Sequence, residues 1–303
     1  MNNQNGEPRS VFRLRKAMGL KCSAVDQLKQ VNNGMYEIKT MNILERIVEN
    51  KRREVSERKA RRSEADLERS AFFLRETFSL KNFLLDEKLT GIIAEFKRKS
   101  PSRGVINDKA DLLDVTTAYA KSGASGLSVL TDETFFGGSQ KDLEKARANP
   151  IPLLCKDFML GEYQVLEAKA SGADVVLLIA ACLTPVEVKR LAVLAKTLKL
   201  EILLEIHGRE ELLHICDEID VVGVNNRDLK TFSVDVNRSL ELSKMIPPEK
   251  IMISESGINS VATIHRLKSY GFKGFLIGEN FMKEKDPAIA FASFVNQLKN
   301  GIT

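Results

Sequence analysis

Eight short apolar runs recur along this chain, and each is followed by a polar loop and a helical segment. The runs lie at residues 91–96, 126–130, 152–155, 174–179, 201–206, 220–224, 250–254 and 273–278. Segments with helical spacing separate them, at 112–122, 162–171, 185–198, 210–215, 239–245 and 261–270. Gly123, Gly172 and Gly271 each close one such helix just before the next run, as C-terminal capping glycines do. Parallel strands need a crossover, usually a helix, so strict alternation predicts a parallel sheet. Eight units predict an α/β fold closed as a (β/α)8 TIM barrel. A doubly wound sheet would carry a GxGxxG turn after its first strand, and the sequence has none.

Residues 1–40 differ from the rest. They are polar, Asn/Gln-rich and aperiodic, without the apolar core of a secretory signal. They read as a disordered extension, either a transit peptide or an over-long start, with one barrel domain over 41–303. Asn42 opens a helical stretch, with Ile43, Leu44, Ile47 and Val48 on one face, and helical pattern continues ahead of the first strand over 42–88.

Composition excludes several classes. The net charge is +5, but residues 1–40 hold seven Lys/Arg against three Asp/Glu. The remainder, with 39 basic and 38 acidic residues, offers no nucleic-acid footprint by count. The basic stretch from Lys51-Arg52-Arg53 to Arg61-Arg62 contains Glu54 and Glu57 and reads as a solvated helix face. No apolar run approaches the roughly 20 residues of a membrane span. Cys22, Cys155, Cys182 and Cys216 are scattered, which fits a reducing cytoplasm. His207, His214 and His265 are scattered too and read as ordinary surface or helix histidines. No metal site is expected.

In such a barrel the C-terminal strand ends converge on one site. The first run ends in Glu95 and Lys97, two residues apart and therefore on one side of a strand. Pro101 then turns the chain away. The later ends supply Thr131 and Asp132, then Lys156 and Asp157, then Glu205, then Asn225-Asn226-Arg227-Asp228, then Ser254-Glu255-Ser256-Gly257, then Gly278-Glu279. Asp157 and Asp228 alternate away from the mouth and read as loop or capping residues. Glu205 sits between Leu204 and Ile206, where a carboxylate is costly unless it points into a polar mouth. Lysines and glutamates together make a proton-transfer set. Ser256-Gly257 and Gly278 put small residues where barrels often seat phosphate.

Together these motifs resemble the indole-3-glycerol phosphate synthase family of tryptophan biosynthesis, from about Met41 to Phe294. The specific marks are Ile93-Ala94-Glu95-Phe96-Lys97-Arg98-Lys99-Ser100-Pro101-Ser102, Phe135-Phe136-Gly137-Gly138-Ser139, Leu154-Cys155-Lys156-Asp157-Phe158, Val224-Asn225-Asn226-Arg227-Asp228-Leu229 and Ser254-Glu255-Ser256-Gly257-Ile258. The resemblance implies a decarboxylating lyase acting on a small phosphorylated substrate without cofactor or metal, and it allows a monomer, with a weak oligomer left open. It closes 1-(2-carboxyphenylamino)-1-deoxyribulose 5-phosphate to indole-3-glycerol phosphate. It also implies that the N-terminal helices cover the mouth. Lys156 would then protonate the ketose carbonyl, Glu205 serve the dehydration, and Lys97, paired with Glu95, hold the carboxylate and act at the leaving hydroxyl. Asn225 and Arg227 would orient the anthranilate, and Phe158 and Phe136 would flank its ring. Ser100, Ser256, Gly257, Gly278 and Glu279 would surround the phosphate. The residues alone leave two alternatives open: another phosphate-barrel isomerase or Schiff-base aldolase, or a non-catalytic sugar-phosphate binder.

Overall fold

The computed structural model describes residues 41–301. The expected extension over 1–40 lies outside the described residues. Eight parallel strands close into a barrel. They are β1 (Ile92–Phe96), β2 (Gly126–Leu130), β3 (Leu153–Lys156), β4 (Val175–Ile179), β5 (Glu201–Ile206), β6 (Val221–Asn225), β7 (Ile251–Glu255) and β8 (Gly274–Ile277). Closure falls on β1, where Ile93 is in register with both Gly126 of β2 and Leu276 of β8. Each run read from the sequence became a strand within a residue or two of its expected ends. Strands of a parallel barrel are covered on both faces, so they stay apolar throughout and stand out from the amphipathic helices.

Two apolar layers hold the barrel. Ile93, Leu154, Val175, Leu177, Leu203, Val221 and Ile253 fill its interior. Phe96, Leu127, Val176, Ile202, Val222 and Phe275 face outward against the helices. Gly123, Gly172 and Gly271 take φ of +95°, +91° and +90°, the left-handed region that a helix-ending glycine reaches without strain. One expected helix differs: residues Arg209–His214 form a 3-10 helix. Gly208 at its start provides no side-chain cap for a wider turn.

Among the described residues three helices precede the barrel: α1 (Ile43–Arg61), α2 (Glu64–Glu68) and α3 (Leu80–Leu85). Asn42 and Glu45 cap α1 reciprocally, at 3.0 and 2.8 Å. Leu80 and Leu84 of α3 join the interior layer and close the end where the strands begin. At the other end, Ile43, Leu44 and Ile47 of α1 line the mouth.

The basic stretch of α1 is not uniformly solvated. Arg52, Arg53 and Arg61 are exposed, but Lys51 is 0 % exposed. It lies one turn from Ile47, on the same helix face. Its Nζ is 2.8 Å from Asp132 Oδ2, 2.9 Å from Asp157 Oδ1 and 2.8 Å from Glu54 Oε2. Burial pulls its ammonium down, but Asp157 and Asp132 outweigh burial and hold its pKa above the ordinary lysine value. Asp157 is correspondingly more than a loop cap. Its carboxylate also accepts from Thr131 Oγ1 at 2.7 Å. Arg58, two turns on, pairs with Glu167 at 2.9 Å. Removing one member of a buried ion cluster strands the others, at about 3–5 kcal/mol. Lys51→Met should therefore lower the unfolding free energy in urea by that order. A loss no larger than that of the exposed control Arg53→Met would show that the cluster does not anchor α1.

Candidate active site

Strand alternation and closure bring the polar strand ends into one cleft of about 950 Å³. Its lining includes Glu95, Lys97, Lys156, Glu205, Asn225, Arg227, Ser256 and Glu279. Two lysine–carboxylate pairs face each other. Lys97 Nζ donates to Glu95 Oε1 at 2.7 Å, and Ser128 Oγ donates to the other Glu95 oxygen at 3.3 Å. Lys156 Nζ donates to Glu205 Oε2 at 2.7 Å and lies 3.4 Å from Glu255 Oε2. Asn225 Nδ2 donates to Glu205 Oε1 at 3.0 Å. Its carbonyl oxygen accepts from Ser256 Oγ at 2.9 Å and Arg227 N at 3.0 Å, which fixes the amide's orientation.

Part of the cleft wall is apolar. Phe136 and Phe158 stand with ring centroids 6.0 Å apart, next to Ile43, Leu44 and Ile47. A second cavity of about 1110 Å³ adjoins the cleft beyond β7 and β8. Gly257, Gly278, Asn280, Arg103 and Lys283 line it, and Glu95, Lys97, Arg227, Ser256 and Glu279 border both. Ser100 does not reach it. That side chain lies in the first cleft, where its hydroxyl is 3.3 Å from that of Ser102. Glu279 presents a carboxylate as well as its backbone, bridging Arg103 at 2.9 Å and Arg227 at 3.3 Å. Ser256 holds φ at +66°, a backbone state costing a non-glycine residue on the order of 1–3 kcal/mol, and such strain is typical of functional loops.

Close packing shapes the charges. A Cβ on Gly278 would fall 2.8 Å from both Cβ and Oε1 of Glu95. One on Gly223 of β6 would fall 2.4 Å from Glu255 Oε1. Both glycines make room for a carboxylate in a crowded mouth. Burial pulls the Lys156 ammonium down, but Glu205, Glu255 and Glu95 outweigh it and hold the pKa above the ordinary lysine value. Burial likewise works against the Glu205 anion, yet Lys156 and His207 prevail and hold its pKa well below the carboxylate range. Glu255 differs: burial, with Glu205 and Glu95 adding to it against the pull of Lys156, pushes its pKa up to about 7.

Two residues here were given no role from the sequence. Glu255 ends β7 within the lining, and its signal was the one that marked Glu205, a carboxylate closing an apolar strand. His207 is not an ordinary surface histidine, because its ring is largely buried beside Glu205. Among the described residues no group of three His, Cys, Asp or Glu side chains is arranged to hold a metal.

The raised Glu255 pKa has a sign that can be measured. Its contribution to stability is complete below the ordinary value of 4.5 and is lost as pH rises through about 7. Glu255→Gln should therefore raise the unfolding free energy at about pH 8, by roughly 2–3 kcal/mol, and change it little at about pH 4. Equal shifts at both pH values would exclude a strained carboxylate here.

Comparisons with known proteins identify a family. A family model described as indole-3-glycerol phosphate synthase matches residues 44–294. The indole-3-glycerol phosphate synthase of Bacteroides thetaiotaomicron is 44% identical over 259 residues, covering 85% of this chain and 99% of that protein. That of Prochlorococcus marinus subsp. pastoris is 41% identical over 271 residues, covering 86% and 92%. Among solved structures, 3-hexulose-6-phosphate synthase from Salmonella typhimurium superposes with a TM-score of 0.55 at 12% identity, over 69% of this chain and 98% of that one. KGPDC from Streptococcus mutans gives 0.52 at 16% identity, over 71% and 100%. At such identities the structures speak for the barrel alone. The family match and the sequence relatives go further: this chain belongs to the indole-3-glycerol phosphate synthase family.

Proposed function

We propose that this chain closes 1-(2-carboxyphenylamino)-1-deoxyribulose 5-phosphate to indole-3-glycerol phosphate, releasing carbon dioxide and water. The observation that carries the reading is the meeting of two lysine–glutamate pairs, each at 2.7 Å, between an aromatic wall and a cavity with cationic groups. The anthranilate ring lies against Phe136 and Phe158. The phosphate occupies the second cavity near Gly257, Gly278, Arg103 and Lys283. Clamped at both ends, the chain between them is held in a near-attack geometry.

Lys156 donates its proton to the ketose oxygen as the ring carbon bearing the carboxylate attacks the carbonyl carbon. The new C–C bond leaves an iminium, and the bonding pair of the departing carbon dioxide restores the aromatic ring. Lys97 protonates the hydroxyl, which leaves as water. Glu205 removes a proton from the adjacent methylene carbon, completing the indole. Glu95 positions Lys97, and Asn225 positions Glu205. With the substrate carboxylate ionised, each turnover takes up one proton from solvent.

A Schiff-base aldolase needs an unprotonated amine as nucleophile. The carboxylates around Lys156 stabilise its ammonium instead, which favours acid catalysis. The same reading makes the protein a cytoplasmic monomer with no nucleic-acid partner. Cys155, Cys182 and Cys216 are free thiols, in keeping with a reducing compartment.

Purified protein incubated with the ketose phosphate should develop indole fluorescence, and a folded protein without turnover would defeat the proposal. Lys156→Ala and Glu205→Gln should each reduce kcat by about 10²–10⁴-fold with the fold retained. A wild-type rate in either would remove that residue from the mechanism. Gly278→Ala, whose new methyl group collides with Glu95, should raise KM and lower kcat together. An unchanged kcat would mean that the phosphate seat and the Glu95–Lys97 pair are independent.

A further inference from the structure

Glu205 is held from outside the substrate cleft as well as inside it. His207 follows it by two residues, just past the end of β5, and its ring packs against Glu205. His207 Nε2 lies 3.2 Å from Glu205 Oε1, the oxygen that Asn225 also meets, within ion-pair reach but out of line for a hydrogen bond. Nδ1 lies 3.3 Å from Glu211 Oε2, and the same oxygen accepts from the His207 backbone N–H at 2.6 Å. The imidazole side chain is 11% exposed. It therefore has a carboxylate oxygen at each ring nitrogen. A neutral imidazole carries one N–H and one lone pair, so one nitrogen would turn its lone pair on an anion. Only the imidazolium suits both neighbours.

We infer that His207 acts as an imidazolium that positions Glu205 and keeps it a carboxylate between Lys156 and Asn225, an inference that rests on the synthase reading for its catalytic consequence. The surrounding charges agree. From its own side of the barrel the ring faces Glu205 and Glu211. From the segment after β4, Cys182 neighbours both carboxylates, and burial pushes its thiol up to about 12, so it adds no charge. Outside, the ring borders a separate cavity of about 1120 Å³ with Arg209, Asp235, Arg238, Glu241 and Lys244, a mixed set of both signs. Burial works against the imidazolium, but Glu205 and Glu211 outweigh it and raise the pKa to about 9. His207 is thereby separated from solvent pH changes across the neutral range. Loss of its proton above that range turns a lone pair on one of the two carboxylates.

The test uses the full chain. Nitrogen-15 imidazole spectra at about pH 7.5 should show position 207 with both nitrogens protonated, assigned by the signal lost in His207→Asn. A neutral ring there overturns the inference. In the activity assay, kcat should carry an alkaline limb near pH 9. Glu211→Gln, outside the substrate cleft, should move that limb down by about one pH unit, because one of two anionic partners is gone. His207→Asn retains a donor but no charge, and should lower kcat roughly tenfold with KM changed far less and the limb abolished. His207→Phe should lose more. A limb unmoved in Glu211→Gln and His207→Asn, or a wild-type kcat in His207→Phe, overturns the inference. An imidazolium in folded wild-type protein that lacks turnover supports the His207–Glu205 contact and counts against the assigned reaction alone.

Discussion

The mouth depends on the two backbone pairings of β1. β1 bonds to β2 on one edge and to β8 on the other, and this closes the sheet. Without closure the ends of β1 and β5 would lie far apart along an open sheet. With it, Glu95 and Glu205 come to border the same cleft and act on the same lysine. Gly278, which follows β8, comes to rest against Glu95 of β1. The two stretches are far apart in sequence and adjacent only because the barrel is closed.

A site assembled this way gathers charge in a dry place, and each charge then needs an answer. Lys156 is answered by Glu205 and Glu255, Lys97 by Glu95, and Lys51 by Asp132 and Asp157. The answers are unequal. Glu205 gains more from its cations than burial costs it, whereas Glu255 does not. Environment alone thus separates two chemically identical carboxylates that share one lysine, giving a permanent anion and a group that titrates near neutrality.

The strands were legible because parallel barrel strands are apolar on both faces and glycines punctuate the helices between them. Lys97, Lys156 and Glu205 were legible because a charge closing such a strand has only the mouth to enter. Lys51 was not legible, because its helix presents it among arginines that are solvated, and its partners come from the ends of β2 and β3. His207 was hidden for a similar reason. Glu205 could be read from its strand, but Glu211 reaches the ring only through a turn whose 3-10 form the periodicity did not show. The apolar wall was half visible: the face of α1 was plain, and its position over the cleft came only from the family resemblance.

The anchoring of α1 also sets an order of events. The helix leaves the ribosome before any barrel strand, carrying a lysine whose carboxylate partners belong to segments made much later. Its charge cannot be buried until the ends of β2 and β3 exist side by side, and Arg58 must wait longer still for Glu167. Contacts of such long sequence separation form late, because loop closure must be met before they return anything. This helix, made before the barrel strands, is thus among the last pieces seated. A newborn chain with its barrel already closed has an unroofed cleft until that helix docks.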